Sequence, residues 1–287
     1  MKRFKLLCVL SIIVVLSATF SCSDGGGSDS SVNSGIVAMS VTDAKPMLPE
    51  NVTNFWVRFE EVWVHKSGGG WISLPLAESP YEIDLLQFIE GNITELVPPV
   101  RLESGKYTQV RIVISSAQIR IDDGTEVHDY DVVIPSGNLK TDKNFIFEVL
   151  NPAAVDIVVD FDLSMSLKED NSTDPSTYQC KPVFHLVKTL EASTITGNID
   201  DLSFVGDADA IVTVFVYNPE LEEYTKVRVP KDSTNDVEFS IFWLAPDREY
   251  RTVIDFDESI DGGEYSQDTN VALESGQVFT LNGDNPI

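Results

Sequence analysis

Apolar side chains in this chain recur at every second position, and that spacing confines it to β-structure. Residues 156–165 show the pattern: Ile157, Val159, Phe161, Leu163 and Met165 form one apolar set, with Asp156, Asp160, Asp162 and Ser164 opposite. A strand turns successive side chains to opposite faces, so such a run predicts a sheet with one face inward. Residues 107–115 repeat it, with Val110, Ile112 and Ile114 inward and Gln109 and Arg111 outward. In residues 55–65, Phe55, Val57 and Phe59 keep phase, then Glu60-Glu61 intervene and Val62 and Val64 fall one step out. A slip of one position inside a strand predicts a β-bulge.

Turn signals separate the runs. Asp122-Asp123-Gly124 lies between strands at 118–121 and 127–134, which predicts a hairpin. Shorter strands are read at 36–42, 71–74, 144–149 and 178–187, where Pro182 favours an edge or a bulge. Residues 81–88 read as a strand end or one helical turn. Beyond residue 190 a fresh set follows at 195–199, 210–217, 224–229, 237–244, 250–256, 271–273 and 278–281. With no long amphipathic helix, the expected class is all-β. The expected organisation is two β-sandwich domains, at 35–190 and 191–287, after an N-terminal signal peptide and a flexible tether.

That start is read from Lys2, Arg3 and Lys5, an apolar run from Leu6 to Phe20, and then Ser21-Cys22. Charge, apolar region and small residue follow in the order of an export signal. The four positions Thr19-Phe20-Ser21-Cys22 resemble the lipobox of bacterial lipoproteins, with Thr19 in place of the usual leucine and a bulky Phe20. The resemblance implies a signal peptide at 1–21, lipid on Cys22 and a Gly/Ser-rich tether at 22–34. Membrane association would then be through a lipid, not a span. Cleavage near Ala18–Ser21 to a free secreted protein is the alternative. The expected location is exported, in the cell envelope at the outer membrane or cell surface.

The net charge of −26 makes nucleic acid a poor partner, because a surface this negative repels phosphates. Cations and a salty exterior suit it. Three cysteines are present. With Cys8 in the signal and Cys22 lipidated, only Cys180 remains, so neither a disulfide framework nor a cysteine metal site is expected.

No phosphate-cradling loop, dinucleotide fingerprint, nucleophile elbow or H-E-x-x-H motif occurs, so no catalytic residue is assigned and an enzyme is not expected. His65, His128 and His185 stand apart in sequence. Asp156, Asp160 and Asp162 read as a solvated outer face, with Arg111 one possible partner; a hydrolase of polysaccharide or peptide built on these carboxylates is the alternative. Trp56, Trp63 and Trp71 read as packing or strand-edge residues. The densest acid group, Asp255, Asp257 and Asp261 with Glu258 and Glu264 around Gly262-Gly263, offers hard oxygen ligands. It is the candidate calcium site, although Ile260 stands where an EF-hand requires glycine. No other cofactor is expected.

The chain also resembles a family. Ser40-Val41-Thr42-Asp43-Ala44 is followed by Phe59-Glu60-Glu61-Val62-Trp63-Val64-His65, Trp71 and Ile83-Asp84-Leu85-Leu86. Then come Ser104-Gly105-Lys106-Tyr107-Thr108-Gln109-Val110-Arg111, Ile134-Pro135-Ser136-Gly137 and Asp160-Phe161-Asp162-Leu163. This order resembles the bacterial DUF4382 lipoprotein domains, a family with no assigned function; Lys45-Pro46 departs from it, since proline tends to follow Thr-Asp-Ala directly. Further on, Phe239-Ser240-Ile241, Leu244-Ala245-Pro246 and Tyr250-Arg251-Thr252-Val253 look like the carboxypeptidase-regulatory-like, or prealbumin-like, sandwich. Together these imply a lipid-anchored binding or structural module at the envelope, with a glycan or an envelope protein as partner. A calcium-stabilised adhesive stalk is a further alternative.

Overall fold

The computed structural model describes residues 33–43, 46–48, 51–135, 138–140, 145–170, 177–200, 209–232, 235–256 and 264–282. The fold is all-β. One four-stranded sheet holds β13 (Val183–Lys188), β10 (Ala154–Asp162), β1 (Ser34–Thr42) and β5 (Thr94–Glu103), in that order. A nine-stranded sheet runs β11 (Leu167–Asp170), β12 (Thr177–Cys180), β7 (Val127–Val133), β6 (Gly105–Asp122), β2 (Val52–Lys66) and β3 (Trp71–Leu74). Here β4 (Tyr81–Asp84) also pairs with β2, and β8 (Asn138–Lys140) and β9 (Phe147–Val149) pair with β6.

The two sheets enclose one core. Val37, Met39, Val41, Ile157, Val159 and Phe161 come from the first and Phe55, Val57, Phe59, Val110, Ile112 and Ile119 from the second. A second core begins after β13. Its three-stranded sheet is β17 (Val237–Leu244), β14 (Ser193–Ile199) and β20 (Val278–Thr280). Its four-stranded sheet is β16 (Glu220–Val229), β15 (Ala210–Asn218), β18 (Tyr250–Asp255) and β19 (Glu264–Asp268). Residues 271–273 form no strand, yet Leu273 is fully buried and its amide bonds the Arg248 carbonyl.

The phase slip in β2 is a bulge, and it is doubled. Register shifts on either side of Phe59 leave Glu60 extra on β2 and Ser115 extra on β6. The two extra side chains meet, Ser115 Oγ donating to Glu60 Oε1 at 2.8 Å, and Arg58 Nε lies 3.1 Å from the same oxygen. Both strands therefore change phase together, and Phe59, Val62, Ile114 and Ala117 all stay inward. That is why residues 107–121, read as two strands, form one.

Residues 178–187, read as one strand, are two. The chain leaves the nine-stranded sheet after Cys180 and enters the four-stranded sheet at Val183, with Pro182 at the crossing. Proline donates no ladder bond, which fits a strand break. Residues 81–88 supply both readings, a strand and then a 3₁₀ turn at Leu85–Gln87.

Gly35 marks a close approach. A Cβ there would sit 2.5 Å from the Leu150 carbonyl oxygen and 2.7 Å from that of Ala153. Gly35→Ala is expected to cost about 1–3 kcal/mol through overpacking against backbone. Gly70 has open space around it. Gly70→Ala should therefore stay within about 0.5 kcal/mol of wild type. Urea unfolding of both variants checks this; equal midpoints would refute the steric account.

Candidate functional site

The nine-stranded sheet carries an aromatic and charged outer face. Because β2 buries Phe55, Val57, Val62 and Val64, the alternation turns Trp56, Arg58, Trp63 and His65 outward. Pairing then sets the rows: Trp56 lies beside Gln118, and Gln118 beside Asp131. Trp63 lies between Ser73 and Arg111, and His65 between Trp71 and Gln109.

Two arginines on this face lie over rings. The Arg120 guanidinium sits 4.7 Å from the Trp56 ring centre and holds Asp129 through two bonds, 2.6 and 2.8 Å. That hydrogen-bonded pair lowers the Asp129 pKa and raises that of Arg120. Arg111 sits 4.1 Å from the Trp71 ring centre, and Trp71 meets His65 edge-on at 5.2 Å. Trp63 Nε1 donates to Glu61 Oε2 at 2.8 Å. A depression of about 230 Å³ opens beside Trp56, walled by Arg58, Glu82, Gln118, Arg120 and Asp131.

The strand acids need a correction. Asp156 is exposed, but Asp160 is 3% exposed and Asp162 fully buried, so they are not a solvated face. The second core covers them. Asp160 lies with Ser240, Ile241 and Trp243 of β17 around one small space, and the Thr225 side chain of β16 faces Asp162. Nor does the strand continue to Met165: Asp162 caps a short helix, α1 (Leu163–Ser166), its Oδ1 accepting from the Met165 amide at 2.9 Å. Arg111 lies in the other sheet and joins none of these acids.

A histidine meets this seam that the sequence left isolated. His185 Nε2 is 4.0 Å from Asp162 Oδ2, and the imidazole stacks on Tyr224 with ring centres 3.9 Å apart. Neither of those two facing atoms has a hydrogen-bond partner. Burial pushes Asp162 up to about 6, helped by the Glu223 charge and opposed chiefly by the bond from the Met165 amide. Burial pushes His185 down to about 4, with Arg248 adding to the shift and a backbone bond to Tyr224 opposing it. Cys180 is buried, which raises its thiol to about 12 and leaves it inert.

Asp257 and Asp261 of the candidate calcium group lie outside the described residues, as does the Cys22 region; Asp255 sits at the end of β18. Among the described residues, no three His, Cys, Asp or Glu side chains are grouped as a metal ion would require.

Three of the four aspartates in the motif blocks serve the backbone. Asp43 Oδ1 accepts from the Leu163 amide at 3.1 Å, and Asp84 Oδ1 accepts from Phe55 and Leu86 at 3.0 and 3.2 Å. With Asp162 on α1, all three hold turns. The sequence profile of a family described as a domain of unknown function, DUF4382, matches residues 34–182, just over half of the chain. The chain belongs to the DUF4382 family. The DUF4382 region runs from β1 to Pro182, where the chain changes sheets. It contains the whole aromatic outer face.

No curated protein matches the chain. Among solved structures, the Bacillus anthracis TIE protein is similar at 11% identity over 86% of this chain and 33% of that one, with a TM-score of 0.21. A leucine-rich repeat protein from Bacteroides thetaiotaomicron VPI-5482 shows 11% identity over 89% and 26%, with a TM-score of 0.22. The fimbrial anchor protein Mfa2 from Porphyromonas gingivalis shows 11% over 82% of each chain, with a TM-score of 0.20. The chain thus spans about a third or less of the first two. At these scores none of the three supports a particular function.

Proposed function

We infer that this DUF4382 protein is an exported, lipid-anchored envelope protein that works by binding. The observation that carries the binding role is the outer face of the nine-stranded sheet, where indoles and guanidinium groups lie at the surface. Aromatic and arginine side chains are the types that recognition surfaces favour. The hydrolase alternative is weakened, since two of its three strand carboxylates, Asp160 and Asp162, are buried under the second core.

The anchor rests on the order of charge, apolar run and Cys22. The second core is read as a prealbumin-like spacer. In support, β17 and β18 follow one another around the Ala245-Pro246 turn, and the Tyr250 hydroxyl donates back to the Ala245 carbonyl at 2.8 Å.

Expression in bacteria with an alkyne fatty acid tests the anchor. The wild-type chain is expected to take up the label and sediment with membranes, and Cys22→Ala to do neither. Equal labelling of both, or a wild type found free in the supernatant, would sink the lipoprotein reading.

A further inference from the structure

The depression beside Trp56 has a chemistry that narrows its ligand, and the narrowing rests on the binding role inferred above. Two guanidinium groups, Arg58 and Arg120, and two carboxylates, Glu82 and Asp131, wall it together with the Gln118 amide. The four wall charges cancel, but Arg58 and Arg120 also pair with Glu60 and Asp129 just outside, so the surroundings are acidic, on a chain whose net charge is −26. An anion entering would meet Glu82 and Asp131, and a cation would meet Arg58 and Arg120. Neither gains much.

A neutral polyol gains from all of them. Each hydroxyl both donates and accepts, and the walls present donors from arginine, acceptors from the carboxylates and both from Gln118. The walls are also held in place. Arg120 is fixed by Asp129 and by its stack on Trp56, Arg58 by Glu60, and Gln118 Nε2 lies 3.4 Å from Asp131 Oδ1. Trp56 is half-buried, and the ring surface that Arg120 leaves uncovered lines the depression and offers apolar area to the C–H side of a sugar ring. A concave site in which a few polar groups converge beside an aromatic ring suits a small polar ligand.

We propose that this depression is a subsite for one neutral sugar residue of a polysaccharide, with Trp56 as its platform and Glu82, Gln118 and Asp131 as hydroxyl partners. Binding here is recognition without bond cleavage.

Affinity electrophoresis of the full chain in detergent tests the assignment. The gels contain dextran, mannan, galactan or xylan as neutral polymers, and alginate or polygalacturonate as acidic ones. At least one neutral polymer is expected to retard the wild type. Trp56→Ala should weaken that retardation about tenfold or more, in line with the loss of one central aromatic contact. Gln118→Ala, which removes only a half-buried surface amide, should weaken it about threefold. Val271→Ala, exposed on the second core, should leave it unchanged. Retardation by acidic polymers alone, no retardation by any neutral polymer, or unchanged binding in both the Trp56 and Gln118 variants would each overturn the subsite. The fatty-acid labelling is independent of all these outcomes, so a failed subsite and a failed anchor are told apart.

Discussion

Asp162→Asn is expected to make the protein more stable at neutral pH, not less. Asp162 is fully buried and its pKa is pushed up to about 6. A raised carboxyl contributes stability that is complete below the unfolded-state pKa and is lost as pH rises through 6. The loss is on the order of 3 kcal/mol once the group is fully ionised. Asparagine avoids it while keeping an oxygen for the Met165 amide. His185 has the opposite sign. Its pKa, lowered to about 4, contributes stability that is complete above its unfolded-state value and is lost as pH falls through 4. In wild type the two trends oppose each other in the acid window and largely cancel.

Asp162→Asn removes one of them. Its stability should exceed that of wild type by up to about 3 kcal/mol near pH 7, and the excess should vanish near pH 4. The variant alone should then lose stability steadily as pH falls across that range. His185→Gln should do the reverse and gain stability on acidification. Urea unfolding of the three proteins across the window decides it. A difference between Asp162→Asn and wild type that does not change with pH would show that the carboxyl is not the titrating group.

Asp84→Ala is expected to be among the most damaging single changes. One carboxylate, 7% exposed, accepts from the Phe55 and Leu86 amides and from the side chains of Asn54 and Gln87. It ties β2 to the 3₁₀ turn after β4. Alanine leaves the buried Phe55 amide without its acceptor, and a bond to a charged group is worth about 1.5–3 kcal/mol. Loss of two such bonds places the cost at about 3–5 kcal/mol. Asp84→Asn should cost less, since its amide oxygen still accepts from both backbone groups. The check is a lowered urea midpoint at unchanged slope. A shift no larger than that of an exposed aspartate such as Asp131 replaced by alanine would overturn this account.

How much of this was legible in the sequence differs from strand to strand. The slip in β2 was visible because two glutamates interrupt a strongly apolar alternation. The matching slip in β6 was not, because Ser115, Ser116 and Ala117 carry too little contrast to mark a phase. In β10 the period of two separated the faces correctly, and Ile157, Val159 and Phe161 are buried. Periodicity says nothing of what covers the second face. One sign was present: Val158 sits among the polar set and is itself fully buried. The outer face was out of reach for another reason. Nothing local links Trp71 to Arg111 or Trp56 to Arg120; only the register of β2 against β3 and β6 brings them together.

The doubled bulge at Glu60 and Ser115 has a consequence for shape. Bulges sharpen the local right-handed twist of a sheet, and here both partners of the central pair carry an extra residue at one place. The outer face is thereby broken into two facets, Trp56 with Arg120 on one and Trp63 with Trp71 on the other. Two facets set at an angle cannot lie flush on a rigid, crystalline surface. A polysaccharide held at the proposed Trp56 subsite would have to turn to reach the second facet.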